Sequence, residues 1–382
     1  MANTKLRCIC FLLAISYGLS DRFVGGRKGT IKTIEGKNGG VIDCVDIYQQ
    51  PAFNHPLLKN HIIEMKPSST PNVTKGEFCD IGEMFQGLLE IGECPEGTIP
   101  VRHARGDEDY ISHRAIPLVP HRKNLNIIDN PTIHHEYARL TLTGDSYQGT
   151  RGFINVWNPA TNPGEASIAK MRLTSGHSDK QKVIEAGWMV NPRDGVGTMF
   201  FIRWTNDGHK KTGCYNLDCP GFVQISKKFP LGSSIKPVSS YNGKQYELWV
   251  SIYKTPANGY WWLEVQDEPI GYWPGTLFSD PAFTATQVAW GGEIYDLRKQ
   301  RTHTTTQMGS GYFSSEGFGK ASYFRNLEFK NGTEIFFEPD KKDLVPDVSD
   351  PLCYDLSVAN DGKVRYGTHF YYGGPGLSEK CP

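Results

Sequence analysis

Short runs of alternating apolar and polar residues fill the chain from about residue 134 onward, with turn residues between them. The clearest are YARLTLTG (137–144), FINVWNP (153–159), TMFFIRWTNDG (198–208), QYELWVSIYK (245–254) and YWWLEVQD (260–267). In QYELWVSIYK, residues Tyr246, Leu248, Val250 and Ile252 share one face, and Glu247, Trp249, Ser251 and Tyr253 share the other. That period of two is the signature of a strand. The sequence Thr255-Pro256-Ala257-Asn258-Gly259 predicts a tight antiparallel hairpin into the next run. Many such strands without intervening helical periods predict an all-β sandwich or barrel of about 250 residues.

Residues 21–131 follow a different pattern. A short strand, Thr30 to Ile34, is expected to turn at Asn38-Gly39-Gly40 and resume as VIDCVDIY. GEMFQGLLEI (82–91) predicts a short helix, so this region is expected to be a small mixed α+β unit. From about 96 to 131 the chain is rich in proline, histidine and arginine, with weak apolar periodicity. Such a stretch reads as an exposed, protease-sensitive linker.

Residues 1–20 read as a secretory signal. Lys5 and Arg7 form a positive end, CICFLLAIS (8–16) an apolar run and Gly18 to Ser20 a small-residue exit. The run is shorter than the roughly 20 apolar residues a membrane-spanning helix needs. No later segment is apolar enough to span, so a soluble, secreted chain is expected, with an acidic vacuole as second choice. Of nine cysteines, seven remain after the signal. In an oxidising compartment they should mostly pair, leaving one over. Asn72-Val-Thr and Asn331-Gly-Thr are candidate glycosylation sites. A net charge of zero over 382 residues excludes an electrostatic case for nucleic acid or an anionic membrane as partner.

Several familiar catalytic signatures are absent: no HExxH helix, no paired CxxC motif, no P-loop, no dinucleotide fingerprint and no GxSxG elbow. None of the eleven histidines has convincing ligand spacing, so neither metal nor cofactor is expected. Cys214 and Cys219, close together in GCYNLDCPG (213–221), predict a local disulfide. Adjacent Trp261 and Trp262 must point to opposite faces of a strand, so one of them is expected at a surface or groove. Two glutamates stand out: Glu185 in KVIEAGWMV (182–190) and Glu293 in VAWGGEIYD (288–296). Each lies in a strand-like run beside glycine, where a substrate backbone could approach. Spacing alone also allows both to be ordinary glutamates on a solvated face.

GTIKTIEGKNGGVIDCVDIYQQPAFNHPLLKNH (29–61) resembles the activation-peptide region of neprosin-type plant proteins. IEAGW (184–188), TNDGHKKTGCYNLDCPGFVQ (205–224), WGGEIYD (290–296), HTTTQMGSG (303–311), GFGKASY (317–323) and FYYGGPG (370–376) resemble the neprosin domain, in the expected order. The resemblance implies a signal peptide (1–20), an activation propeptide with linker (21–131) and a two-sheet antiparallel β-sandwich peptidase domain (132–382). It implies a glutamic endopeptidase made as a zymogen, cutting on the carboxyl side of proline at acidic pH, with Glu185 and Glu293 as the catalytic pair. Two close carboxyls are expected to share one proton, one activating water while the other protonates the leaving nitrogen.

Substrate-groove candidates are Trp188, Trp290, Tyr295 and Gln307. The expected disulfides are Cys214–Cys219, Cys353–Cys381 and Cys44–Cys94, leaving Cys79 free. Processing is expected near Pro131, with protonation of His134 or His135 loosening the join. Protein or peptide substrates, the chain's own propeptide as intramolecular inhibitor and a monomeric state complete the picture. Departures from the family pattern are Cys79 and the basic run LRKQRTH (297–303). Two readings from other classes stay open: a two-carboxylate glycoside hydrolase, and a non-catalytic glycan- or wall-binding sandwich.

Overall fold

The computed structural model describes residues 27–35, 41–71, 92–102, 132–191, 197–280, 282–298, 302–360 and 362–382. The signal-like residues 1–20, the expected turn at Asn38-Gly39-Gly40, the predicted helix at 82–91, Asn72, Cys79 and Pro131 lie outside them. Strands β1 (Thr30–Glu35), β2 (Val41–Asp46) and β3 (Thr98–Arg102) form an N-terminal three-stranded antiparallel sheet. Between β2 and β3, the chain makes short 3₁₀ turns over Ile47–Gln49, Pro51–Asn54 and Pro56–Leu58.

The next strands are β4 (Thr132–Tyr147), β5 (Gly149–Asn155), β6 (Ala166–Ser175), β7 (Lys182–Val190), β8 (Thr198–Thr205) and β9 (Cys214–Tyr215). There follow β10 (Val223–Gln224), β11 (Glu247–Lys254), β12 (Trp261–Val265), β13 (Glu268–Trp273) and β14 (Ala285–Arg298). The last are β15 (Ser322–Lys330), β16 (Phe336–Phe337), β17 (Val345–Val348), β18 (Asp355–Val358) and β19 (Phe370–Gly373). One sheet has seven strands in the order β17-β4-β14-β6-β7-β8-β9. The other has nine, ordered β10-β13-β12-β11-β5-β15-β19-β18 with β16 on β15. All pairings are antiparallel, so the fold is a two-sheet β-sandwich.

Side-chain alternation sets the two faces. Ile184, Ala186 and Trp188 of β7, and Trp290 and Ile294 of β14, enter the inter-sheet core with Leu248, Val250 and Ile252 of β11. The β11–β12 hairpin closes as predicted, pairing Lys254 with Trp261 and Val250 with Val265. Trp261 and Trp262 are both fully buried, which corrects the expectation that one lines a groove. Trp261 packs on Phe283 at 5.3 Å and Trp262 on Tyr272 at 4.7 Å. Both faces of this strand are therefore covered, a tertiary effect that strand alternation does not encode.

The N-terminal sheet docks on the sandwich edge. Val45, Ile47, Ala52, Leu58, Ile99 and Val101 join the same apolar cluster as the main core. Thr98–Arg102 falls inside the stretch read as a linker, yet it is a strand paired with β2, with four of its five residues buried. Five residues are too few to show a period, and the pairing with β2 decides their conformation. Cys44–Cys94 and Cys353–Cys381 are disulfides as expected. Cys219 is disulfide-bonded as well, while the side chain of Cys214 lies outside the described residues.

The docking contacts are polar as well as apolar. Buried Gln50 donates to Ile47 O (2.8 Å) and Gln224 O (3.1 Å), and accepts from Gln224 N (2.8 Å). Tyr272 Oη meets His61 Nε2 (2.7 Å) and the Glu64 amide (2.9 Å), and Asn258 donates to both Glu64 oxygens at 2.8 Å. Gln50→Ala strands a buried amide and carbonyl of β10, so docking should weaken by about 1–3 kcal/mol. Faster proteolytic release of the N-terminal segment would register this. Release at the wild-type rate would mean that the apolar contacts alone hold the edge.

Candidate active site

Glu185 lies in the middle of β7 and Glu293 in β14, separated by the single strand β6. Their neighbours Trp188 and Trp290 point the other way and donate to Asn155 O and Thr150 Oγ1 of β5 in the facing sheet. Both glutamates therefore stand on the outer face of the seven-stranded sheet. The same face carries His135, Tyr137 and Arg139 of β4, Lys170 and Arg172 of β6, and Arg203 of β8.

Strand register explains the grouping. Glu293 pairs with Ile168 and Glu185 with Arg172, so Lys170 falls diagonally between the two carboxylates. Lys170 itself is flanked across both strands by Gly187 and Gly291. A Cβ on Gly187 would come within 2.0 Å of Ala169 O and 2.7 Å of Lys170 Cα, and one on Gly291 within 2.4 Å of Arg139 Cα. Only glycine permits the strands to approach this closely, and no neighbouring side chain displaces the lysine.

The ammonium of Lys170 lies 2.9 Å from Glu185 Oε2 and 2.5 Å from Glu293 Oε2. His135 Nδ1 meets Glu293 Oε1 at 2.6 Å. Arg172 Nε and Arg203 Nη1 each lie 3.6 Å from Glu185, too far for good hydrogen bonds but close enough for strong attraction. Arg203 also contacts His209 Nδ1 at 3.2 Å and lies over the Tyr215 ring at 5.1 Å. Arg139 pairs with Asp347 of β17 at 2.6 Å and lies 4.0 Å from the Tyr137 ring centre.

Burial acts against charge here, and the cations win. Burial pushes the Glu185 carboxyl up, but Lys170, Arg172 and Arg203 together bring it down to about 2. Burial likewise raises Glu293, while Lys170 and then His135 hold it well below the ordinary carboxylate range. An ammonium occupies the space between the carboxylates and favours the ionised form of both, so a proton joins the pair only in stronger acid than two bare carboxyls would need. Burial, then the charge of Arg203, lowers His209 to about 3, while burial pushes the Tyr215 hydroxyl up to about 12.

Tyr137, Arg139, Lys170, Arg172, Ala289, Gly291, Gly292 and Glu293 line a small depression. Of the groove candidates, Tyr295 shares the outer face with Glu293 but is fully buried there, packing edge-on against His135 at 5.5 Å. Trp188 and Trp290 are fully buried in the inter-sheet core, so they are corrected to core residues. Gln307 is tied to another segment, accepting from the Ala160 amide at 3.0 Å. In the same loop, Thr304 and Thr306 donate to buried Glu165, which anchors the chain after β14.

Asn331 of the second sequon is half-buried at the β15–β16 turn and accepts from Thr333 N at 3.0 Å. Among the described residues, the grouping with metal-ligand proximity is His303, Cys353 and Cys381. The two sulfurs are bonded to each other, so they offer no thiolate.

Lys170, Arg172 and Arg203 were missed in the sequence. ASIAKMRLTS (166–175) does carry a signal: Ala169, Met171 and Leu173 alternate into the core, which sends Lys170 and Arg172 outward.

Among solved structures, scytalido-glutamic peptidase with a transition-state analog inhibitor is 12% identical, with a TM-score of 0.37, over 63% of this chain and 98% of that one. SCP-B, a member of the eqolisin family of peptidases in complex with Ala-Ile-His, is 10% identical, with a TM-score of 0.33, over 63% of this chain and 98% of that one. Residues 33–147 match the Neprosin activation peptide, a match that runs through β4 and includes His135. Residues 163–375 match the Neprosin domain, including β6, β7 and β14 with Lys170, Glu185 and Glu293. The chain therefore belongs to the neprosin family and carries that family's activation-peptide region on the N-terminal side of its Neprosin-domain match.

Proposed function

We propose that this neprosin-family peptidase is a secreted glutamic endopeptidase, made as a zymogen and cutting on the carboxyl side of proline in acid. The observation that carries the reading is the pair of buried glutamates, one strand apart, on the outer face of the sheet. Glu293 borders the depression, so it is the carboxylate that an incoming water meets first. As a base it takes a proton from that water as the water adds to the scissile carbonyl. Its partner Glu185, once protonated, donates to the leaving nitrogen. That protonation requires acid, because the surrounding cations favour the ionised form. Activity should therefore rise as pH falls toward the folded value of the donor. The disulfides Cys44–Cys94 and Cys353–Cys381 support an oxidising destination.

The zymogen reading is tested by incubating the precursor in acid and sequencing the new N-terminus. Wild type should process itself close to Pro131, whereas Glu293→Gln should stay intact. Equal processing of both would assign the cut to another protease.

A further inference from the structure

Lys170 has no part in a two-glutamate mechanism, yet it touches both glutamates. Its side chain is 7% exposed, so the contacts are made away from solvent screening. Gly187 and Gly291 flank it across both neighbouring strands and leave it the space between the carboxylates. A lysine on a sheet face ordinarily extends its ammonium to water. Here the ammonium stays within 3 Å of an oxygen of each glutamate. We propose that Lys170 is a positioning residue of the site: its ammonium takes the place of the proton that two bare carboxyls would share, and so sets the pH range of activity.

This inference rests on the reading of Glu185 and Glu293 as the reacting pair. Two buried carboxyls facing each other cannot easily both ionise. With a cation between them both can, and the site holds its two negative charges at a lower pH. The groups facing the lysine share this balance. They are Glu293 of β14, Glu185 of β7, Arg172 of β6, Arg203 of β8, His135, Tyr137 and Arg139 of β4, Tyr215 of β9 and His209. Asp347 of β17 is taken up by Arg139. Of the two glutamates, Arg172 and Arg203 pair with Glu185, whereas Lys170 pairs with both. Lys170 is thus the cation whose loss affects both carboxyls together.

The test compares wild type with Lys170→Met and Lys170→Arg in two readouts. The first is the pH profile of kcat/KM on a proline-containing peptide. Both limbs should move up by at least about one pH unit in Lys170→Met, a tenfold change in proton affinity, and stay near wild type in Lys170→Arg. The second is ¹³C NMR titration of labelled glutamate carboxyls, which needs no turnover. Two carboxyls should titrate higher in Lys170→Met than in wild type. If Lys170→Met does not fold, Lys170→Gln takes its place in both readouts. A fall in rate with unmoved limbs, and carboxyls titrating as in wild type, would overturn the proposal. Should wild type cut no peptide at any pH, the peptidase reading fails, and the carboxyl titration still decides the role of Lys170.

Discussion

Glu185→Gln and Glu293→Gln will each lower kcat on a peptide substrate by at least about 10³-fold, with KM little changed. Glutamine keeps the shape of each side chain but cannot take a proton from water or give one to a leaving nitrogen. The substitutions also disturb the charge balance of a buried site. Glu185→Gln leaves Lys170, Arg172 and Arg203 facing a neutral amide, and breaking buried pairs of this kind costs about 3–5 kcal/mol. Melting must therefore be followed alongside activity. A folded Glu185→Gln protein that retains a tenth or more of wild-type kcat would remove Glu185 from the chemistry. The same result for Glu293→Gln would be more damaging, because Glu293 is the glutamate that borders the depression.

The second large effect is on stability in acid. A carboxyl whose folded pKa lies below its unfolded value stabilises the fold fully above the unfolded value, and this contribution is lost as pH falls through the folded one. For Glu185 the window runs from the ordinary glutamate value of 4.5 down to about 2. The shift corresponds to about 3 kcal/mol of stability, present at neutral pH and withdrawn across that window. Glu293 is shifted in the same direction and adds to the loss. Melting temperature should therefore fall steeply across the window in wild type and less steeply in Glu185→Gln. Parallel curves for the two proteins would show that Glu185 is not held ionised in the fold. The same protonation that readies a proton donor also loosens the sheet around it, so activity and stability are expected to diverge as the medium acidifies.

Much of the sandwich was legible because the core-facing residues of its strands alternate cleanly in sequence. Leu248, Val250 and Ile252 went inward as their spacing required, and the turn at 255–259 closed the hairpin. Glu185 and Glu293 were legible as outward residues beside glycines, although nothing in the spacing revealed that one strand separates them. That proximity depends on the sheet order, in which β6 inserts between two strands about a hundred residues apart in sequence.

The tryptophans misled for a related reason. Trp188 and Trp290 flank the glutamates in sequence, but alternation sends them through the sheet to β5. Lys170 and Arg172 escaped notice because a lysine or arginine on a strand usually marks a solvated face. Only the register shows that both lie against Glu185. Thr98–Arg102 was hidden in a linker-like composition, since its strand character comes from pairing with β2 rather than from its own five residues.

The most direct test of the central claim is a pH series of the purified precursor on a peptide with a single internal proline, read by mass spectrometry from about pH 2 to about pH 7. Hydrolysis on the carboxyl side of that proline, rising as pH falls and absent from Glu293→Gln, is the expected result. Intact peptide at every pH, after the N-terminal segment has been released from a folded sandwich, would contradict it.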